Sequence, residues 1–442
     1  MTPEDTLAAL LDAARRAGAE QADALLAHSA SLSVQRRLGA IEELQRAEGV
    51  DLGLRVFIGQ RVAVVSGTDA DPAGFAALAE RAVAMARVVP EDRFAAILDA
   101  PAPMDAAPLD LDDGMEPDAE ALLARAAAAE EAALAVPGVT NSEGASASWS
   151  RGTRTLATSR GFLGQYRRSS HGVSAVALAG QGTGMQRDYE YESRAHLAEL
   201  EAPDAIGRRA GEQAVARLNP VRAKSARIPV VYHPRVASSL LGHLATAING
   251  ASIARGTSFL KDAMESQVLP RGMTVWDDPL RPRGLRSRPF DGEGQPGLRR
   301  AIVEDGVLTT WLLDGRSAAQ LGLATTGHAA RGTGGPPAPA PTNLWLEAGT
   351  LTPAALMEDI AEGLYVTELI GMGVNGVTGD YSRGAAGFMI RGGQLAEAVG
   401  EITIAGKLPE MFRAMTAAND LVFKRGTDAP TIRVDGMTLA GA

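Results

Sequence analysis

Six histidines and no cysteine bound the side-chain chemistry open to this 442-residue chain. Without Cys there is no disulfide, no thiol nucleophile and no thiolate metal ligand. Imidazole remains, and His243 is the one placed most suggestively, on a helical pattern just after a strand. A helix-borne His can ligate a metal, but zinc wants three or four N, S or O ligands converging tetrahedrally. After His243 no carboxylate occurs until Asp262. The residues therefore predict a buried, hydrogen-bonded or pocket-lining His243, with no metal held by this chain. A metal site elsewhere would have to draw on His171, His196, His233 and His328. Two glycine patterns resemble phosphate cradles. Gly371-Met372-Gly373-Val374-Asn375-Gly376 fits GxGxxG, but the pattern continues into a turn and strand where a dinucleotide site needs a helix. The run at 180–184 is not preceded by a suitable strand and opens no helix, so it is read as a loop.

The elements that must position His243 are readable around it. Ile228-Pro229-Val230-Val231-Tyr232 reads as a strand, and His233-Pro234 breaks it. Pro234 suits the first position of a helix. From 235 to about 249, Ala237, Leu241, Leu244 and Ile248 form one apolar stripe; Val236, Leu240, His243 and Ala247 form the next. Two adjacent apolar faces predict a helix buried on most of its circumference.

Upstream, Thr2, Pro3, Glu4 and Asp5 open a helix that Gly18 closes. Strands are expected at 22–34, 35–47, 51–58 and 61–66, a four-segment antiparallel meander with a Gly59-Gln60 turn. Arg55, in the third segment, reads as a solvated strand residue. A helix at 71–87 would bury Phe75, Leu78, Ala82 and Met85. Residues 99–117 are Pro-, Ala- and Asp-rich without period and read as a linker or surface excursion. An Ala-rich helix follows at 118–136, then strands to about 188 with turns at Arg151-Gly152 and Arg160-Gly161, then a helix at 205–218. Asn219-Pro220 marks the expected boundary between an N-terminal region, 1–219, and a C-terminal domain, 220–442. Beyond the central helix a strand is expected at 273–279, a hairpin at 301–313 with Asp305-Gly306 at its tip, a structureless loop at 331–343 and a Thr352-capped helix at 350–363.

Composition fits a globular protein: 45% hydrophobic and 22% charged residues. A net charge of −10 argues against nucleic acid as a partner, which calls for a basic face. No 18-residue apolar run occurs, so no membrane span is expected. The opening MTPEDTLAALL carries acids where a signal peptide carries Lys or Arg.

Three stretches carry a resemblance to a known family. EGVDLGLRVFIGQRVAVVS at 48–66, IARGTSFL at 253–260 and, most specifically, VNGVTGDYSRGAAGFMIRGGQLAEAVGEITIAGKL at 374–408 resemble the TldD/PmbA proteins, formerly called modulators of DNA gyrase, and within them the PmbA (TldE) branch. In the TldD branch the helix matching 235–249 carries His-Glu-x-x-x-His, which binds a catalytic metal. On this chain the first His falls on His243, the Glu on Leu244 and the second His on Ile248. Residues five apart on an ideal helix point about 140° apart, so that motif relies on a local π-type distortion. A further family ligand, a Cys near the C-terminus, has no counterpart.

The resemblance implies an α+β, two-domain fold, with mixed and antiparallel sheets and helices in the N-terminal part and a strand-rich C-terminal domain. It implies a cytoplasmic metallopeptidase system that degrades or matures unfolded proteins and small peptides. In such a system a TldD-type subunit holds the zinc. This chain would pair with it in a dimer, bind no cofactor itself, complete the chamber and hold the peptide. Expected substrate-binding residues are Arg255, Gly256, Thr257 and Ser258 in the second stretch, Asn343 at the end of the long loop, and Gly379, Asp380, Tyr381, Ser382 and Gly384 in the third. The small residues of the third stretch would let another backbone approach closely. Two alternatives stay open: a catalytically silent homodimer that binds peptides or proteins, and a regulator of gyrase or DNA, which the acidic charge disfavours.

Overall fold

The computed structural model describes residues 1–441. The N-terminal half is one antiparallel six-stranded sheet: β1 (Gln21–Arg37), β2 (Ala40–Ile58), β3 (Arg61–Gly67), β4 (Val139–Thr158), β5 (Leu163–Ala179) and β6 (Gln186–Arg194), in the order β3-β2-β1-β4-β5-β6. Helices α1 (Pro3–Ala17) and α2 (Phe75–Val88) pack on the β1–β3 part, and α3 (Ala119–Leu134) and α4 (Pro203–Ala216) on the other. The long β1 serves both cores, with Ala22, Ala24 and Leu26 in the first and Leu32 and Val34 in the second. Helix α1 starts as its residues direct: Thr2 Oγ1 accepts from Asp5 N at 3.1 Å, Thr2 N donates to Asp5 Oδ2 at 3.3 Å, and Gly18 closes the helix at φ 105°.

Several expectations from the sequence are corrected. The four segments of the meander are three strands, because Leu38 and Gly39 make the turn at φ 48° and 83°, and the chain then runs unbroken from 40 to 58. Gly152 is no turn; it pairs with Ser29 in mid-strand. Helix α2 buries Phe75, Ala79, Ala82, Val83 and Ala86, so its inner face is rotated and Met85 is exposed. The 99–117 excursion is anchored, with Leu109 and Leu111 buried. The 331–343 loop contains a short strand, Ala338–Pro339, paired with Ala329–Ala330. The expected 350–363 helix is only Pro353–Met357, capped by Thr352 as read.

The C-terminal half is built around β7 (Ala226–Tyr232). It pairs in parallel with Glu362–Ile370 and antiparallel with Ile432–Ala440. Glu362–Ile370 leads on to Asp380–Arg391 and Gln394–Lys407, and the last of these pairs back onto Ile432–Ala440, closing the strands into a barrel. The central helix α5 (Pro234–Ala247) crosses between this barrel and a second sheet containing Val275–Asp278, Arg300–Glu304 and Asn343–Leu346, all sharing one large core. The Asp305-Gly306 hairpin forms as read, at φ 48° and 80°. The class is α+β with mixed and antiparallel sheets, as the resemblance implied.

Candidate functional site

Helix α5 is launched by His233, whose Nδ1 accepts from Arg235 N at 3.1 Å. Leu240, Leu241, Leu244, Ala247 and Ile248 enter the core. Both apolar stripes are buried as read, His243 only partly, while the remaining side of the helix is open. Ser238, Ser239, Gly242 and Thr246 recur at helical spacing and face an open groove of about 690 Å³. The far wall is the 338–341 segment of the long loop, held by Asn249 Nδ2 donating to Pro339 O at 2.7 Å. Arg255 stands in the same groove. Small side chains on a helix beside a Pro-rich wall leave room for an extended chain.

His243 lies between core and groove. Its ring meets Tyr381 edge-on, centroids 5.8 Å apart, and its Nε2 is buried without a hydrogen-bond partner among the described residues. Burial first, and then the Arg383 guanidinium, lower its pKa to about 4, leaving a neutral ring near pH 7. The donor set does not fit the family's metal. Leu244 and Ile248 are buried with nothing to donate, the nearby charge is cationic, and no three His, Asp or Glu side chains gather into a ligand group among the described residues.

The four other histidines considered as metal ligands stand in separate places. His171 Nε2 lies 2.9 Å from Asp113 Oδ2, His196 Nε2 lies 2.9 Å from Asp110 O, and His328 bridges Thr326 Oγ1 at 2.8 Å and Asp277 Oδ1 at 3.1 Å. His233 caps α5.

The expected substrate-binding residues are not brought together. Arg255 alone lines the groove. Gly256 makes an exposed turn at φ 70°, and Thr257 Oγ1 is bonded to Ser252 O at 3.3 Å. Ser258 is buried, donating to Ala247 O and accepting from Leu260 N at 3.0 Å, so it braces the end of α5 and is unavailable to a substrate. Asn343 is likewise consumed: its side chain bonds Arg286 N, Asp278 O and Ser287 Oγ. Gly379, at φ 78°, packs on Pro409, and Asp380 accepts from Thr378 Oγ1. Tyr381 is buried against His243; Ser382 is exposed. The close backbone approach expected of this stretch is made by the chain's own strands. A Cβ on Gly387 would sit 1.9 Å from Tyr365 O, one on Gly373 2.1 Å from Ser382 O, and Gly384 faces Ile370.

Arg55 corrects another reading. It is 4% exposed and forms a two-pronged pair with Asp23, at 2.9 and 2.5 Å, while Glu293 stands 4.0 Å away. Asp23 also receives Arg331 Nη1 at 2.7 Å, tying the sheet to the 331–343 loop. A Cβ on Gly53 would strike Thr333 O at 2.4 Å, so the same loop lies directly on β2. Burial foremost raises Glu293 to about 7. Neither Asp23 nor Glu293 was singled out from the sequence; the only signal was an Arg in a buried-looking β-branched run.

Comparison with known proteins agrees with this architecture along nearly the whole chain. Residues 22–86, 113–218 and 225–441 match family models described as PmbA/TldA metallopeptidase domain 1, central domain and C-terminal domain. The chain is 35% identical over 424 residues to the metalloprotease PmbA of Escherichia coli O157:H7, covering 95% of this chain and 92% of that protein. A Thermotoga maritima protein solved as a candidate modulator of a DNA gyrase superposes with TM-score 0.89 at 22% identity, over 99% of this chain and all of that one. TldE from Thermococcus kodakarensis superposes with TM-score 0.85 at 18% identity, over 99% and 100%.

Proposed function

Since this chain belongs to the PmbA/TldA metallopeptidase family, we propose that it is the peptide-holding subunit of a two-subunit cytoplasmic peptidase whose metal is carried by a TldD-type partner. One observation carries the reading: Leu244 and Ile248 occupy the positions where the motif needs Glu and His, beside a neutral His243 and the cationic Arg383. Metal-assisted hydrolysis needs a bound water and a general base at the ion. In this reading both come from the partner, zinc included. This chain contributes the groove along α5 and a strand edge. Among the described residues, 40–51 of β2 pair only with β1, leaving their other backbone edge open to an extended peptide. The exposed Ile370, Met372 and Val377 on one barrel-end turn supply an apolar surface for the partner.

The test is to mix the chain with a TldD-type subunit from the same genome. Casein cleavage sensitive to a chelator, and a gel-filtration shift to a 1:1 assembly, are expected only for the mixture. Chelator-sensitive cleavage by this chain alone would overturn the assignment of catalysis to the partner. A self-dimer unchanged by the second subunit would favour a silent homodimer.

A further inference from the structure

A second cavity, of about 340 Å³, lies where the N-terminal sheet meets the C-terminal half. Leu25, Leu156, Tyr166 and Phe290 give it an apolar floor, with Tyr166 edge-on to Phe290 at 5.3 Å. Arg154, Arg288 and Arg331 line it, and Arg168 stands beside it. In a chain of net charge −10 this concentration of arginine is against the overall balance. None of Arg154, Arg168 and Arg288 has a carboxylate within ion-pair distance among the described residues. Their contacts are backbone carbonyls: Arg154 Nη1 to Arg331 O at 3.2 Å, Arg168 to Leu285 O, and Arg288 Nη2 to Gly327 O at 3.5 Å. Arg331 is 7% exposed and its Nη1 is engaged by Asp23; among the described residues its Nε and Nη2 are buried with no partner, as is Arg288 Nε. These three nitrogens are sealed from solvent, so a molecule in the cavity meets the arginines through their other atoms.

The one acid in the wall, Asp291, feels the charge of Arg288 but makes no hydrogen bond to it among the described residues. Asp291 is used up by backbone N–H groups of Glu293, Gln295 and Ala329 at 2.8 to 3.0 Å. Burial foremost, opposed by Tyr166 and aided by the charges of Arg154 and Arg288, pushes the Arg168 guanidinium down. Planar guanidinium forks match a carboxylate. A dianionic phosphate would set two charges against Asp291 and leave the aromatic floor unused, whereas an amino-acid carboxylate brings one charge and an apolar side chain.

We propose that this cavity is a carboxylate subsite that takes the free C-terminal end of a peptide, with Tyr166 and Phe290 receiving its last side chain. The inference rests on the peptide-holding reading but needs neither the partner nor cleavage to be tested. Titration calorimetry on the full chain would compare N-acetyl-phenylalanine, its amide and inorganic phosphate. Saturable binding of the acid is expected, with the amide weaker by about tenfold or more and phosphate weaker than the acid. Arg288→Gln should weaken the acid by about tenfold and leave the amide unchanged. Arg154→Gln, at an exposed guanidinium, should weaken it in the same sense and serves if the first variant does not fold. Arg208→Gln, on an exposed face of α4, should change nothing. Equal binding of acid and amide, no saturable binding of the acid, tighter binding of phosphate, or equal loss in Arg208→Gln would each overturn the proposal. Failure of casein cleavage in the mixed assay, with the acid still bound, would count against the two-subunit reading alone.

Discussion

Asp23 holds two buried arginines at once, and removing it shows what such a group does. Burial by itself raises a carboxyl pKa; here the charges and hydrogen bonds of Arg55 and Arg331 outweigh it and hold Asp23 below the ordinary range. Asp23→Ala leaves both guanidiniums uncompensated, and we expect a loss of about 3–5 kcal/mol in urea unfolding at pH 7. Glu293 behaves in the opposite sense. With its pKa raised from 4.5 to about 7, folding is penalised once the unfolded chain ionises it, and the penalty is complete above pH 7. The stability of Glu293→Gln relative to the unmodified chain should therefore improve as pH rises from about 5 to 8, by about 2–3 kcal/mol. His243 is protonated in the unfolded chain near 6.5 and in the folded chain only near 4. Its contribution is whole above 6.5 and is lost as pH falls toward 4. Unfolding midpoints at pH 7 and 5 should separate less in His243→Gln than in the unmodified chain.

At the scale of elements, two helix contacts make different demands. Between α3 and α4 the backbones almost touch: a Cβ on Gly207 would lie 1.8 Å from Ala129 O, and one on Gly211 2.8 Å from Ala133 O. Gly207→Val should drive the helices apart at a cost of about 1–3 kcal/mol, read from the unfolding midpoint, with near-native circular dichroism. Helix α5 demands filling instead. Leu244→Glu with Ile248→His restores two letters of the metal motif but places two polar groups in the core, each costing about 2–5 kcal/mol without a partner. The expected outcome is a destabilised chain with no chelator-sensitive cleavage of its own. Stoichiometric zinc in that variant by elemental analysis, with activity, would show that the scaffold around His243 supplies further ligands.

For the whole molecule, the two halves are joined by buried charge. Besides Asp23–Arg331, Asp188 on β6 receives Arg235 of α5 at 2.8 Å and Arg217 at 3.3 Å, and Arg217 reaches Glu368 at 2.5 Å. Arg235 is also bonded to Tyr189 O and Thr367 O, one on each half. Calorimetry should show one unfolding transition, because neither half keeps these groups satisfied alone. Asp188→Ala should lower it or split it in two. Two well-separated transitions in the unmodified chain would mean that the bridges contribute little.

Read alone, the sequence determined whatever depends on neighbours a few residues apart. The Thr2 cap, the Gly18 stop, the Asp305-Gly306 hairpin and the core stripe Leu241–Leu244–Ile248 all formed as their local chemistry directs. The family resemblance was legible for the same reason, since its motifs are contiguous stretches, and the α+β class followed from it. The groove side of α5 was visible as Ser238, Gly242 and Thr246 but meant nothing until the 338–341 wall was set opposite it. Likewise Arg55 looked solvated because strand alternation cannot say what covers a face. Its burial depends on Asp23, Glu293 and the 331–343 loop, which fold onto it from up to hundreds of residues away. The same holds for the fate of Ser258 and Asn343, whose polar atoms seemed free and are spent on backbone and side-chain partners in the core. Which polar groups are satisfied internally, and which, like Arg331 Nε and Nη2, are enclosed without a partner among the described residues, is decided by tertiary packing. A hydrogen bond is set by the meeting of two groups in space, and a linear pattern names only one of them.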